Sequence, residues 1–581
     1  MPACYTPAVN PNQQEAPSLP AASGKHNGST AAEPNDAIRR PRVWLVLLIA
    51  YSCVMHFAYL GSITLKSHEA FLAERTQEMI RRGHWIVPHL NGQADVQKPP
   101  LPFWVLGAVS LGGRHINDWT ARIPSTAFSI GTMLLVVALM WRMRGPRAGL
   151  ISGFVFTTSY TARWWGRKAE VESQTMFWSA LMLTAYWFGL RSEARRRRIA
   201  WFAVMWASLG LGVLAKGPFV PMALAAAVIV MAAFTRPGRR IGKMLPVAGP
   251  VIAAAVAAPW FVWMLATRPD AMDVWLSHSA GRVTGEEYGH SPVWYYFVQA
   301  PQLWAPWPIA VAFGVWAALR RKLIDRDAAV FLLGWGFGGL LLLSAVSTKS
   351  TRYALVMAPP VFALAGLGLD WLLFRAPRRL PRWGWGLWAA HLPAIPGMAV
   401  GAILAADKLP AYRWHLIGAG MLGAAMFLAV LALYARGRRA AALLTFGGGV
   451  LVAFVWAVGQ VAVPVMNRAN ESAWAGKYVA RHVPDETAVA LYKKTPIDGT
   501  AVFYAGRTLP LIEGLDELIA WRRENPRGYV LVKDDHSQFW MDEVRIAGEW
   551  RAIDYHPDPL EDHRRYHLMR AVPPKQPTTA P

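Results

Sequence analysis

Cysteine is almost absent from this chain of 581 residues, with only Cys4 and Cys53 present. Two such residues cannot build a disulfide framework or a Cys-x-x-Cys metal site. Cys4 falls in a polar tail and Cys53 in an apolar run, so no bridge is expected between them. Charge is also scarce: Asp, Glu, Lys and Arg make up 17% of the residues, where a soluble protein usually carries about 25%. No P-loop, no dinucleotide glycine fingerprint and no short internal repeat is visible. These absences exclude a disulfide-stapled scaffold and a nucleotide-binding fold of the familiar glycine-rich types.

What fills the space is apolar. Hydrophobic residues reach 54%, with 29 Trp. Runs near the ~20 residues needed to cross a bilayer recur through the first 465 positions. The fold class read from this pattern is an all-α polytopic membrane protein of about thirteen transmembrane helices. The expected spans are 43–63, 122–141, 147–163, 172–190, 199–215, 218–234, 245–266, 304–319, 328–347, 353–373, 385–404, 412–435 and 441–464. The formal charge of +24 would point to nucleic acid in a soluble chain. Here the basic residues cluster between apolar spans, so no nucleic-acid partner is expected and the lipid bilayer is. Segments such as "IRRPR", "RMRGPR", "RSEARRRR" and "TRPGRRIGK" all fall on one side under this assignment. Together seven such segments hold 26 Lys and Arg. The positive-inside rule makes that side cytoplasmic, in the inner membrane, with a cytoplasmic N-terminus.

Three regions follow. Residues 1–37 read as a disordered cytoplasmic tail, 38–464 as the transmembrane domain with a first outer loop at 64–121, and 465–581 as a small extracytoplasmic α/β domain. In the last, "SAWAGKYVARHV" reads as a helix, and "TAVALYKK", "TAVFYAG", "GYVLVKD" and "VRIAGEW" as strands. In the first loop, "HEAFLAERTQEMIRR" is too short and polar to span and fits a helix lying at the membrane interface. "PPLPFWVLGAVSLGG" reads as a short re-entrant or surface helix, opened by prolines.

Ionisable residues at or just outside membrane depth are costly and usually have a job. Four groups stand on the outer side: His68-Glu69 with Lys98; Glu170 and Glu172 at the entrance of the fourth span; Lys216 in "LAKGPF"; and the stretch from His278 to Tyr296, with Arg282, taken together with Lys349 and Arg352 of "STKSTRY". Each has an ordinary reading as well. Acids favour helix starts, lysines snorkel to the interface, His278 and His290 are surface histidines more often than metal ligands, and Tyr295 and Tyr296 suit an aromatic belt. Taken together they describe one site with bases for a lipid phosphate and carboxylates for taking a proton from an acceptor hydroxyl. Breaking a sugar–phosphate bond needs both.

The ordered set "HEAFLAERTQEMIRRGHWIVPHLNGQADVQKPPLPFW", "ARIPS", "RKAEVESQTMFW", "LAKGP" and "STKSTRYALVMAPP" resembles the membrane glycosyltransferases of the aminoarabinose transferase and protein O-mannosyltransferase superfamily. The resemblance covers the first ten spans and is strongest over 66–220. It implies a glycosyltransferase-C fold, a polyprenyl-phosphate-linked sugar donor, inversion at the sugar carbon and an envelope acceptor, either glycolipid (lipid A-like) or protein. No cofactor is required on this reading, a divalent metal stays open and no metal-ligating residues are assigned. The family's Lys-Pro-Pro lysine, which binds the donor phosphate, corresponds to Lys98; Lys216, Lys349, Arg352 and Arg282 are the further phosphate candidates. Two positions depart from the family pattern: His68 stands where Asp is usual, and Gln97 where Glu is common. The base is therefore open between Glu69, Glu172 and His68, with Glu170 placed to raise the proton affinity of Glu172. A lipid-linked sugar transporter or flippase, or a non-catalytic lipid-binding relative, is the alternative.

Overall fold

The computed structural model describes residues 39–111, 116–285, 289–375, 409–492, 498–535, 539–555 and 564–573. Helices stand at every expected span except 385–404, which lies outside the described residues, as does the tail 1–37. Seven of them are long and apolar enough to cross a membrane alone, and the bent pair Tyr295–Trp304 and Pro308–Leu319 raises this to eight. The helices pack through small residues, as apolar helices must where lipid offers no competing hydrophobic gain. A Cβ on Gly314 would sit 1.8 Å from the Leu364 carbonyl oxygen. Only glycine lets helices Pro308–Leu319 and Ala358–Phe374 come that close.

The first outer loop folds into a compact unit. Helix His68–Arg82 ends at Gly83, whose φ of 70° the absent Cβ permits. This helix is buried along one side: Ala70, Ala73, Glu74 and Met79 are all at most 1% exposed. A two-stranded hairpin, His89–Leu90 with Gln93–Ala94, turns at Asn91-Gly92, both at positive φ. The Lys98-Pro99-Pro100 turn then opens the nine-residue helix Leu101–Val109.

Beyond residue 470 the chain forms a five-stranded sheet in the order 511–512, 489–492, 529–535, 564–571, 550–555. The first three strands are parallel, and 564–571 runs antiparallel to both of its neighbours. Both faces are covered. Val489 and Leu491 point into one apolar cluster, Ala490 and Tyr492 into another, which is the period-2 pattern of a doubly buried strand. Two of the expected strands are wholly or partly helix. "TAVFYAG" forms helix Gly499–Ala505 because the Asp498 carboxylate caps the N–H groups of Thr500 and Ala501, and Gly506 closes the other end in the left-handed region. "VRIAGEW" is split: its start completes helix Phe539–Ile546, and only Trp550 enters a strand.

The sheet region is tied to the first loop. Asn91 donates to the Leu509 carbonyl and accepts from the Leu509 N–H, both at 2.7 Å. Tyr504 donates to Asp118 and accepts from the Leu65 N–H at 2.6 Å. Arg81 reaches the Gly506 carbonyl at 2.6 Å.

Candidate active site

Segments far apart in sequence meet in one cavity of about 600 Å³. Its walls come from the start of helix His68–Arg82, the turn and helix start at 97–103, residues 170–172, residues 215–219 and residues 348–353. Every one of these is a stretch that the charge alternation puts on the outer side. His68, Lys98, Glu170, Glu172, Lys216, Lys349 and Arg352 all line it. The side chains of Arg282 and His278 lie outside the described residues, and His290, Tyr295 and Tyr296 are not in the lining.

The basic residues are held at fixed positions. Lys216, at the last turn of helix Arg195–Lys216, contacts Glu172 at 2.6 Å, while its ammonium sits about 5.5 Å from the rings of Phe219 and Tyr353. Those two rings stack at 4.6 Å and form an aromatic floor. Arg352 approaches the same Glu172 oxygen at 3.9 Å. Lys349 is buried and donates to the carbonyls of Ser291 (2.9 Å) and Val346 (2.7 Å). Carbonyls aim this ammonium without neutralising it, so it still offers positive charge to an anion.

The acids divide by environment. Glu172, 3% exposed, is held by Lys216 and Arg352. Glu170 is 3.6 Å from Lys168 through Oε1, and its Oε2 is buried without a hydrogen-bond partner among the described residues. Burial, and next the charge of Glu172, pushes its carboxyl up to about 7. His68 is pulled below its ordinary value by burial and then by Arg352, so it stands neutral at pH 7. Glu69 is different. It does not line the cavity; both of its oxygens bind Arg122, at 2.8 and 2.9 Å, and Oε1 also accepts the Ala169 N–H at 2.9 Å. The sequence reading missed Arg75, which lines the cavity and pairs with Asp95 at 2.5 Å, and the role of Arg122. Arg122 had a signal: a charge at the outer end of an apolar span, inside "ARIPS".

Residues 97–263 match the family model described as dolichyl-phosphate-mannose-protein mannosyltransferase. The fold is that of ArnT from Cupriavidus metallidurans, solved bound to undecaprenyl phosphate: TM-score 0.75, 18% identity, 90% of this chain and 98% of that one. The oligosaccharyltransferase of Archaeoglobus fulgidus is a more distant structural match, with a TM-score of 0.52, 11% identity and coverage of 89% and 73%. Among sequences, the protein is 26% identical over 345 residues to the undecaprenyl phosphate-alpha-4-amino-4-deoxy-L-arabinose arabinosyl transferase of Serratia proteamaculans, covering 56% of this chain. The matched region spans about 59% of that relative's length.

Proposed function

We propose that this protein is an inverting membrane glycosyltransferase that moves a sugar from a polyprenyl-phosphate donor to an envelope acceptor, glycolipid or protein, outside the cytoplasmic membrane. The observation that carries this reading is the meeting of Lys98, Lys216, Lys349 and Arg352 with Glu170 in one cavity. In the reaction, the cations bind the phosphate and stabilise the charge it gains as the sugar C–O bond breaks and the phosphate keeps the electron pair. An acceptor hydroxyl attacks the sugar carbon from the opposite face and gives its proton to Glu170. Glu170 suits this step better than Glu172, because Glu172 is already engaged by two cations whereas Glu170 has a buried oxygen with no hydrogen-bond partner among the described residues and is poised near neutrality. Glu69 serves the fold on this reading, and His68 is the remaining competitor for the proton. The sugar transferred by the relatives named above is an aminopentose, which makes a pentose or hexose donor the first to try.

Lys98 is assigned to the donor phosphate, with Pro99 and Pro100 fixing the turn that aims it. Lys98→Ala removes a charge-assisted contact and is expected to weaken binding of a polyprenyl-phosphate analogue about tenfold to a hundredfold. Unchanged affinity would remove the lysine from the phosphate site.

Thirteen spans place the cavity, and the sheet after residue 470, outside. Reporter fusions at residues 30 and 575 are then expected on opposite sides of the membrane. Two fusions on the same side would mean that the span count is off by one.

A further inference from the structure

The segment that carries Glu170 also holds two arginines which the proposed reaction does not use. Arg163 and Arg167 are both half-buried, and neither lines the cavity. Arg163 donates from Nε to the Ser159 carbonyl at 3.3 Å. Arg167 donates from Nη2 to the Ala58 carbonyl, and its guanidinium lies 4.8 Å from the ring centre of Phe454. The Nε of Arg167 is buried and has no hydrogen-bond partner among the described residues. No carboxylate comes within ion-pair distance of either arginine among the described residues. The acids nearby are committed, Glu69 to Arg122 and Glu170 to Lys168. Burial, then the charges of Arg122 and Arg163, lowers Arg167 to about 10, so it remains a cation at neutral pH.

A cation taken out of water without a counter-ion is costly, and two together are more so. Something anionic is needed to complete the arrangement. Helices Pro41–Phe57 and Arg439–Ala457 flank the pair. Tyr51 of the first is close enough to interact with Arg163 and donates to the Gly447 carbonyl of the second at 2.9 Å, and Phe454 of the second covers Arg167. The outward faces of both helices are apolar and open, with Val46 64% and Val452 52% exposed. A ligand arriving there carries an apolar tail.

We propose that Arg163 and Arg167 form a binding site for the phosphate of a net-anionic lipid headgroup, separate from the donor cavity. The proposal rests on the outward placement of residues 164–171, not on glycosyl transfer itself. Arginine suits this task because its planar fork meets phosphate oxygens in pairs and holds its charge.

The test uses the full-length protein in nanodiscs of phosphatidylcholine, with or without phosphatidylglycerol. Bound lipid is counted by native mass spectrometry, and thermal stability is read alongside. The wild type is expected to retain phosphatidylglycerol over phosphatidylcholine and to be stabilised by it. Arg163→Gln and Arg167→Gln should each weaken that preference at least tenfold, and the double variant should abolish it. In phosphatidylcholine alone, whose phosphate is neutralised by its own choline, the double variant should be no less stable than the wild type, because two cations without a counter-ion are gone. An unchanged preference in the double variant overturns the site, and a loss of stability in phosphatidylcholine alone makes the arginines structural. Polyprenyl-phosphate affinity should stay at the wild-type level, and a parallel loss would assign both arginines to the donor cavity. Adding a phosphorylated glucosamine lipid, or its dephosphorylated form, separates the sources. Displacement by the phosphorylated form alone identifies an acceptor glycolipid, and no displacement identifies a bulk phospholipid.

Discussion

Glu170→Gln is expected to lower turnover by about 10²–10⁴ while leaving polyprenyl-phosphate affinity near that of the wild type. A sugar hydroxyl is a weak nucleophile at neutral pH, and the amide keeps the shape of the side chain while removing its basicity. The pH profile tests the same assignment. The active form is the carboxylate, and the Glu170 carboxyl is pushed up to about 7. The wild-type rate should therefore climb as pH rises through about 7, and the variant should lose that inflection. His68→Asn makes the contrast: a histidine base held below its ordinary 6.5 would put the inflection lower. Glu172→Gln should act differently again, because it frees Lys216 and Arg352 and so changes donor affinity more than the proton step. If the Glu170 variant keeps both its rate and its inflection, the proton goes elsewhere.

Glu69→Ala is expected to cost about 3–5 kcal/mol of stability, the usual penalty for removing one partner of a buried ion pair. The Arg122 guanidinium left behind is 5% exposed and cannot rehydrate. Arg122 also holds the chain before helix His68–Arg82, through the carbonyls of Leu60 (2.9 Å) and Ile63 (2.5 Å). Glu69 in turn fixes the Ala169 N–H next to Glu170. Thermal unfolding in a mild detergent measures the loss, and removing both partners, as in Glu69→Leu with Arg122→Met, should recover part of it. A Glu69→Gln protein of wild-type stability with no activity would restore Glu69 to the chemistry.

Sequence alone reached the membrane helices because the bilayer forces a length and an apolarity that a single window can see. It reached the cavity because charge at the outer ends of apolar spans is rare enough to notice. The sorting of the acids was out of reach. Glu69, Glu170 and Glu172 are the same residue type at similar depth, and what separates them is the partner that folding brings, Arg122, Lys168 or Lys216. The misread segment "TAVFYAG" fails for a related reason. Its β-prone residues are outvoted by a capping aspartate two positions upstream of Thr500 and a glycine at its end.

The reciprocal bonds of Asn91 and Leu509 join residues 418 positions apart. At roughly 5–20 residues per second of synthesis, the partner of Asn91 emerges some 20–80 s later. Through that interval the helix bearing His68 and the turn bearing Lys98 wait in a half-built wall. The order of translation therefore makes this a protein that matures last at its oldest part, and a ribosome that stalls in the final stretch leaves a membrane-inserted chain whose cavity wall is unfinished.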